Sequence, residues 1–170
     1  YRRMALSWAP EPAQRDFGPR GVFMGFDFHV TAAGPKLIEV NTNAGGAFLN
    51  ALLADAQTAC CVEIEAAFGK ISRVSFGSAV LRMFQTEFKL QRQVGALRRI
   101  AIVDDRPEEQ YLYPEFLLAQ RFFVKHGIEA VVADAGQLRY AQGSLTIDGQ
   151  PIDLVYNRLV DFSLDRPGHE

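Results

Sequence analysis

Asp27 in "GFDFHV" and Glu39, Asn41 and Asn43 in "KLIEVNTN" place two carboxylates and two carboxamides early in the chain. Such a set offers only hard oxygen donors. It suits Mg²⁺, which takes one or two protein carboxylates and completes its shell with water and phosphate oxygens. The chemistry served would be the holding of a nucleotide by its phosphates. The same residues also fit a solvated edge strand that runs into an asparagine-glycine turn, since Gly45 and Gly46 follow closely.

A second set lies further along. Asp104, Asp105, Glu108, Glu109 and Gln110 follow one apolar run, and Asn157 and Arg158 follow another. If both runs are parallel strands, their carboxyl ends are where open α/β sheets take ligands. The guanidinium of Arg158 can grip a carboxylate through two parallel hydrogen bonds, as an amino-acid head group would require. It can equally pair with an acid of the 104–109 segment. His29, His126 and His169 are scattered without metal-ligand spacing and are assigned no catalytic role, His126 falling where a helix end would favour its charge. No G-x-S-x-G, H-E-x-x-H, C-x-x-C, G-x-G-x-x-G or Walker loop occurs. Hydrolase triads, zinc sites and simple dinucleotide folds thereby lose their main support.

The elements that must position these groups can be read from periodicity. Val22, Met24, Phe26, Phe28 and Val30 alternate with Phe23, Gly25, Asp27 and His29, the period of two that marks a strand. After the turn "TAAGP", the return strand puts Lys36, Ile38, Val40 and Thr42 on one face and Leu37, Glu39, Asn41 and Asn43 on the other. In an antiparallel pair the face of Asp27 lies opposite Glu39 and Asn41, so their oxygens converge. Helices are expected in "AFLNALLADAQTA", in "VEIEAAF" and in "SAVLRMFQTEFKLQRQV", the last with a stripe of Val80, Leu81, Phe84 and Phe88 and with Arg82, Glu87 and Lys89 facing water. Beyond Gly95 the order is strand "RRIAIVDD", helix "YPEFLLAQRFFVKHG", strand "IEAVVA", a hairpin in "QLRYAQGSLTIDGQ" and strand "PIDLVYNRL". Pro114 stands near the start of that helix and Gly127 is placed to cap its end. Strand, helix, strand is the unit of a parallel α/β sheet. The chain therefore divides into an irregular lead-in over 1–20, a hairpin-plus-helices segment over 21–95 and an α/β lobe over 96–170.

With 170 residues, 48% of them hydrophobic, the chain can build a substantial core. Its net charge of −2 and scattered Lys and Arg argue against a nucleic-acid partner. Apolar runs too short for a span, and no charged start leading into an apolar stretch, point to a cytoplasmic protein with no membrane partner. Cys60 and Cys61 are adjacent, cannot staple distant segments, and read as core filler in a reducing compartment. An opening Tyr1 and a closing "DRPGHE" suggest a piece of a longer protein. A homodimer is an open expectation.

Two segments together resemble a known family. "GFDFHVTAAGPKLIEVNTNAGG" is similar to the metal-binding strand pair of ATP-grasp ligases that ends in E-x-N, most of all to that of eukaryotic-type glutathione synthetases, whose circularly permuted order puts this pair first and the substrate domain after it. "RRIAIVDDRPEEQYLYPEFLLAQRFFVKHGIEAVVAD" and "LTIDGQPIDLVYNR" resemble that substrate domain in strand order, in the "DGQ" turn and in the closing arginine, so the likeness spans Gly21 to Leu159. The resemblance implies a permuted ATP-grasp strand pair with helices, followed by a three-layer α/β substrate-binding lobe. It implies that Glu39 and Asn41, supported by Asp27, ligate Mg²⁺ on ATP, and that Arg158 grips a γ-glutamyl-type carboxylate, with Glu108 and Gln110 at the polar substrate loop. Asn43 stands where the family has a serine-containing stretch that touches its dipeptide. The activity implied is a carboxylate-amine ligation through an acyl phosphate. The family's glycine-rich lid and ATP-gripping lysines have no counterpart in this sequence, so this piece alone is expected to be inactive. Two other readings compete: a non-catalytic α/β module that captures an amino acid or small peptide through Arg158, and an inactive ligase relative used in assembly.

Overall fold

The computed structural model describes residues 2–60, 73–161, 166 and 169. Its centre is β3 (Arg99–Asp104), an apolar run without alternation that is covered on both faces, as a central parallel strand must be. It pairs in parallel with β4 (Glu129–Asp134) on one side and β8 (Leu154–Asn157) on the other. Ile100 and Ile102 point to one face, where Phe116, Ala119 and Phe123 of α4 (Tyr113–Lys125) and Val80, Phe84 and Phe88 of α3 (Arg73–Arg92) pack on them. Ala101 and Val103 point to the other, under Ile147, Ile152 and Leu159.

That second face is covered by a small antiparallel sheet of β5 (Arg139–Ala141), β6 (Ser144–Ile147) and β7 (Gln150–Pro151). The expected single hairpin is two successive ones, joined by the two-residue turns Gln142–Gly143 and Asp148–Gly149, whose positive φ angles match the twist of paired strands. The lobe is thus mixed α/β, with helices, a parallel sheet and a small antiparallel sheet in layers. Helix α4 ends as expected. Gly127 adopts φ 75°, its N–H reaches the Val124 carbonyl, and Ile128 N–H reaches that of Phe123, which satisfies the last carbonyls of the helix.

The N-terminal part contains α1 (Arg2–Trp8), a 3₁₀ turn at Glu11–Gln14, the hairpin of β1 (Gly25–Thr31) and β2 (Gly34–Asn41), and α2 (Ala47–Cys60). The helix expected in "VEIEAAF" and the residue Cys61 lie outside the described residues. One surface expectation is overturned. Glu87 is buried rather than wet, because its Oε2 accepts the backbone N–H groups of Arg20 at 2.5 Å and Gly21 at 2.9 Å and so ties the lead-in to α3. Among the described residues no helix is long and apolar enough to cross a membrane.

The hairpin corrects the strict alternation. Asp27 pairs with Glu39 but Phe28 pairs with Leu37, which leaves Ile38 as the extra residue of a β-bulge. Leu37 therefore joins Phe26, Phe28 and Val40 on one face, and Lys36 moves to the face of Asp27, Glu39 and Asn41.

Candidate cation and substrate site

At the open end of the hairpin, Asp27, Glu39 and Asn41 share one exposed face. Asn41 Nδ2 donates to Glu39 Oε1 at 3.0 Å and to Asp27 Oδ2 at 3.4 Å. Two like charges opposite one another on neighbouring strands repel. The amide N–H groups offset this by standing between them, which is the position a small cation would take. Two carboxylates and one carboxamide fit Mg²⁺ by donor type, given that half a turn of the amide presents its oxygen in place of its nitrogen. Among the described residues no three His, Cys, Asp or Glu side chains are grouped for a metal, so an amide ligand is required for a third contact here.

Asn43 does not continue this face. Strand β2 ends at Asn41, the chain turns, and Asn43 meets Arg158 instead. Arg158 Nη1 donates to Asn43 Oδ1 at 2.6 Å, to the Asn43 carbonyl at 3.2 Å and to the Ala44 carbonyl at 3.3 Å. The guanidinium is buried, with its carbon 5.4 Å from the centre of the Tyr156 ring. Its charge is felt at Asp104, yet among the described residues it forms no ion pair with the 104–109 acids. Gly45 makes this approach possible: a β-carbon there would lie 2.6 Å from Leu112 Cδ1 and 2.9 Å from Arg158 Nη2.

The next turn is held from the lobe as well. Glu115, in the first turn of α4, is 1% exposed, and its Oε2 accepts from Leu49 N–H at 3.4 Å in the first turn of α2. A carboxylate suits that helix start. Among the described residues, Glu115 Oε1 and the Tyr156 hydroxyl are buried without a hydrogen-bond partner. Burial pushes the Tyr156 hydroxyl up to about 12, although the Arg158 charge beside it acts in the opposite direction. Glu115 escaped the sequence reading; the available signal was an acid one turn before Ala119 on the stripe that leads to Phe123.

At the carboxyl end of β3, burial raises Asp104 above the usual carboxylate range. Asp105 Oδ1 meets His169 Nε2 at 2.6 Å, Asp161 Oδ2 meets His169 Nδ1 at 2.8 Å, and Arg166 Nη1 reaches Asp105 Oδ2 at 2.8 Å. Hydrogen bonds to Asp161 and then Asp105 raise His169 above the ordinary histidine value. Gln110 Nε2 donates to the Asp105 carbonyl at 2.6 Å, while Glu108 is exposed in the Pro107–Glu109 turn and Glu109 pairs with Arg106 at 2.7 Å. Arg106 takes φ 38°, a left-handed conformation held by donation of its N–H to Asp134 Oδ2 at 2.7 Å. Asn157 Oδ1 accepts from Leu159 N–H at 2.9 Å and closes the turn after β8. The structure thus joins Asp27, Glu39 and Asn41 in one group, Asn43 and Arg158 in a second, and Asp105 and Gln110 in a third.

No protein-family model, curated protein or solved structure matches the chain.

Proposed function

We propose that the chain is part of an ATP- and Mg²⁺-dependent carboxylate-amine ligase of ATP-grasp type, similar to eukaryotic-type glutathione synthetases. In this reading Asp27, Glu39 and Asn41 hold Mg²⁺, and the α/β lobe receives an amino-acid or small-peptide substrate. The observation that supports it is the convergence of those three side chains around the Asn41 amide, at 3.0 Å and 3.4 Å, on a face that solvent and phosphate can reach. Bound there, Mg²⁺ would neutralise phosphate charge on ATP. The chain's own residues do the positioning. Arg158 holds the Asn43–Ala44 backbone against the sheet, so the end of β2 stays close to the carboxyl ends of β3 and β8. Arg158 then acts as a positioning residue through Asn43, and Glu108 and Gln110 form the polar rim on the lobe side.

Mn²⁺ accepts the same oxygen ligands as Mg²⁺ and broadens the NMR signals of nearby nuclei, which makes it a probe for an exposed site. Selective broadening at residues 27, 39 and 41, reversed by Mg²⁺, is expected in the chain itself. Glu39→Gln and Asp27→Asn should each weaken the effect about tenfold or more with an unchanged circular dichroism spectrum. Uniform broadening along the chain, or broadening that both variants retain, would refute the cation reading.

A further inference from the structure

β8 is the outer strand of its sheet, and among the described residues nothing pairs with its far side. Arg158 N–H points inward to the Val103 carbonyl at 2.8 Å. By alternation, the N–H and C=O groups of Val155 and Asn157 point outward. They open onto a cleft of about 720 Å³, floored by the half-buried Phe23 and Leu154 and rimmed by Tyr140, which is 76% exposed. A second hollow of about 300 Å³ shares Phe88, Arg92, Ile152 and Asp153 with it and extends the cleft past the start of β8. Arg92 and Arg98 stand at that end, and neither guanidinium has an acidic partner among the described residues. The nearby Asp153 carboxylate is engaged by the N–H groups of Arg98 at 2.8 Å and Arg99 at 2.9 Å.

A free strand edge beside an apolar floor asks for a ligand that carries its own backbone hydrogen-bonding groups in an extended line. A compact apolar molecule would fill the floor and leave the Val155 and Asn157 groups without partners. The unpaired arginines at one end add a demand for negative charge. We propose that this cleft takes an extended peptide that runs antiparallel to β8 as a fourth strand, with alternate side chains on the Phe23 and Leu154 floor and its terminal carboxylate at Arg92 and Arg98. Four residues of strand cover about 13 Å, so a pentapeptide spans β8 and reaches the arginines. The proposal goes beyond the cation site and needs neither Mg²⁺ nor nucleotide.

The test titrates acetyl-Val-Thr-Val-Thr-Val with a free carboxyl terminus into the labelled chain and follows amide shifts by NMR. Saturable shifts at Val155 and Asn157, independent of Mg²⁺ and ATP, are expected. Methylating the alternate peptide nitrogens that face β8 should weaken binding ~10-fold or more. Amidating the carboxyl terminus should weaken it severalfold in the native chain and add nothing in the doubly substituted Arg92→Ala/Arg98→Ala chain. Both arginines are exposed, so that variant keeps its fold. Equal binding of the N-methylated probe, or no saturable shift at millimolar probe, overturns the proposal. Concentration-dependent sedimentation with the same two amides shifting in the absence of probe also overturns it, since a second copy of the chain would then own the edge.

Discussion

The β1–β2 hairpin and the central strand β3 are both rich in apolar residues, yet their surroundings are opposite. In β3 every residue from Ile100 to Asp104 is buried, whereas not one residue of β1 or β2 is. Phe26 and Phe28 are more than half exposed, while Phe84 and Phe123 are fully enclosed and meet edge to face at 4.8 Å. An apolar pattern therefore specifies a strand without specifying what covers it. The lobe is held by its own interior. An isolated two-stranded hairpin has no such interior and is marginal in water. This one is fastened at its base, by the Ala44 N–H to Phe23 carbonyl bond at 3.3 Å and by Arg158 on Asn43. The oxygens that could meet a cation thus sit on the element with least support of its own, which leaves them open to solvent and ligand.

Four substitutions test the contrast in descending order of effect. Phe84→Ala removes a ring that touches Phe23, Phe123 and Tyr156 and should cost about 3–5 kcal/mol in urea unfolding of the whole chain. A loss no larger than that of a surface change would mean that the lobe core lies elsewhere. Arg158→Ala removes three charge-assisted hydrogen bonds to the 43–44 loop and should cost about 1.5–3 kcal/mol in the same assay. Hydrogen exchange should then speed up more in β1 and β2 than in β3; equal changes in both would show that Arg158 is no anchor for the hairpin.

The third concerns pH and only the lobe. Because His169 is raised in the folded state, its contacts with Asp105 and Asp161 stabilise fully below the unfolded histidine value, and that contribution fades as pH rises through the folded value. His169→Gln should therefore lower the unfolding midpoint at acidic pH and progressively less as pH rises. A difference that grows with pH would contradict this. The smallest effect is expected for Val30→Ala on the hairpin, 80% exposed, at about 0.5 kcal/mol or less, and a cost comparable with that of Phe84→Ala would reveal a hidden partner for that face.

Much of this was legible in the residues. The parallel strand in "RIAIVD", the helix end at Gly127 and the meeting of Asp27 with Glu39 all follow from local pattern, and the structure holds them. What escaped depends on contacts far apart in sequence. Nothing local marks Ile38 as the extra residue, since no glycine announces the bulge. Asn43 looks like the next residue of an alternating strand until Arg158, 115 positions away, draws it aside. Glu87 reads as a helix-surface acid and Glu115 draws no notice because the backbone N–H groups they satisfy, those of Arg20, Gly21 and Leu49, lie 66 or 67 residues distant. Buried acids of this kind become visible only when the chain ends they hold are in place.

The extra residue in β2 gives the strand one position of slack. Loss of Ile38 by deletion would restore simple two-residue spacing and leave every other side chain on its present side, whereas loss of Lys36 or Val40 would turn part of the strand over. A lineage could thus shorten this hairpin at a single codon without scrambling its acidic surface.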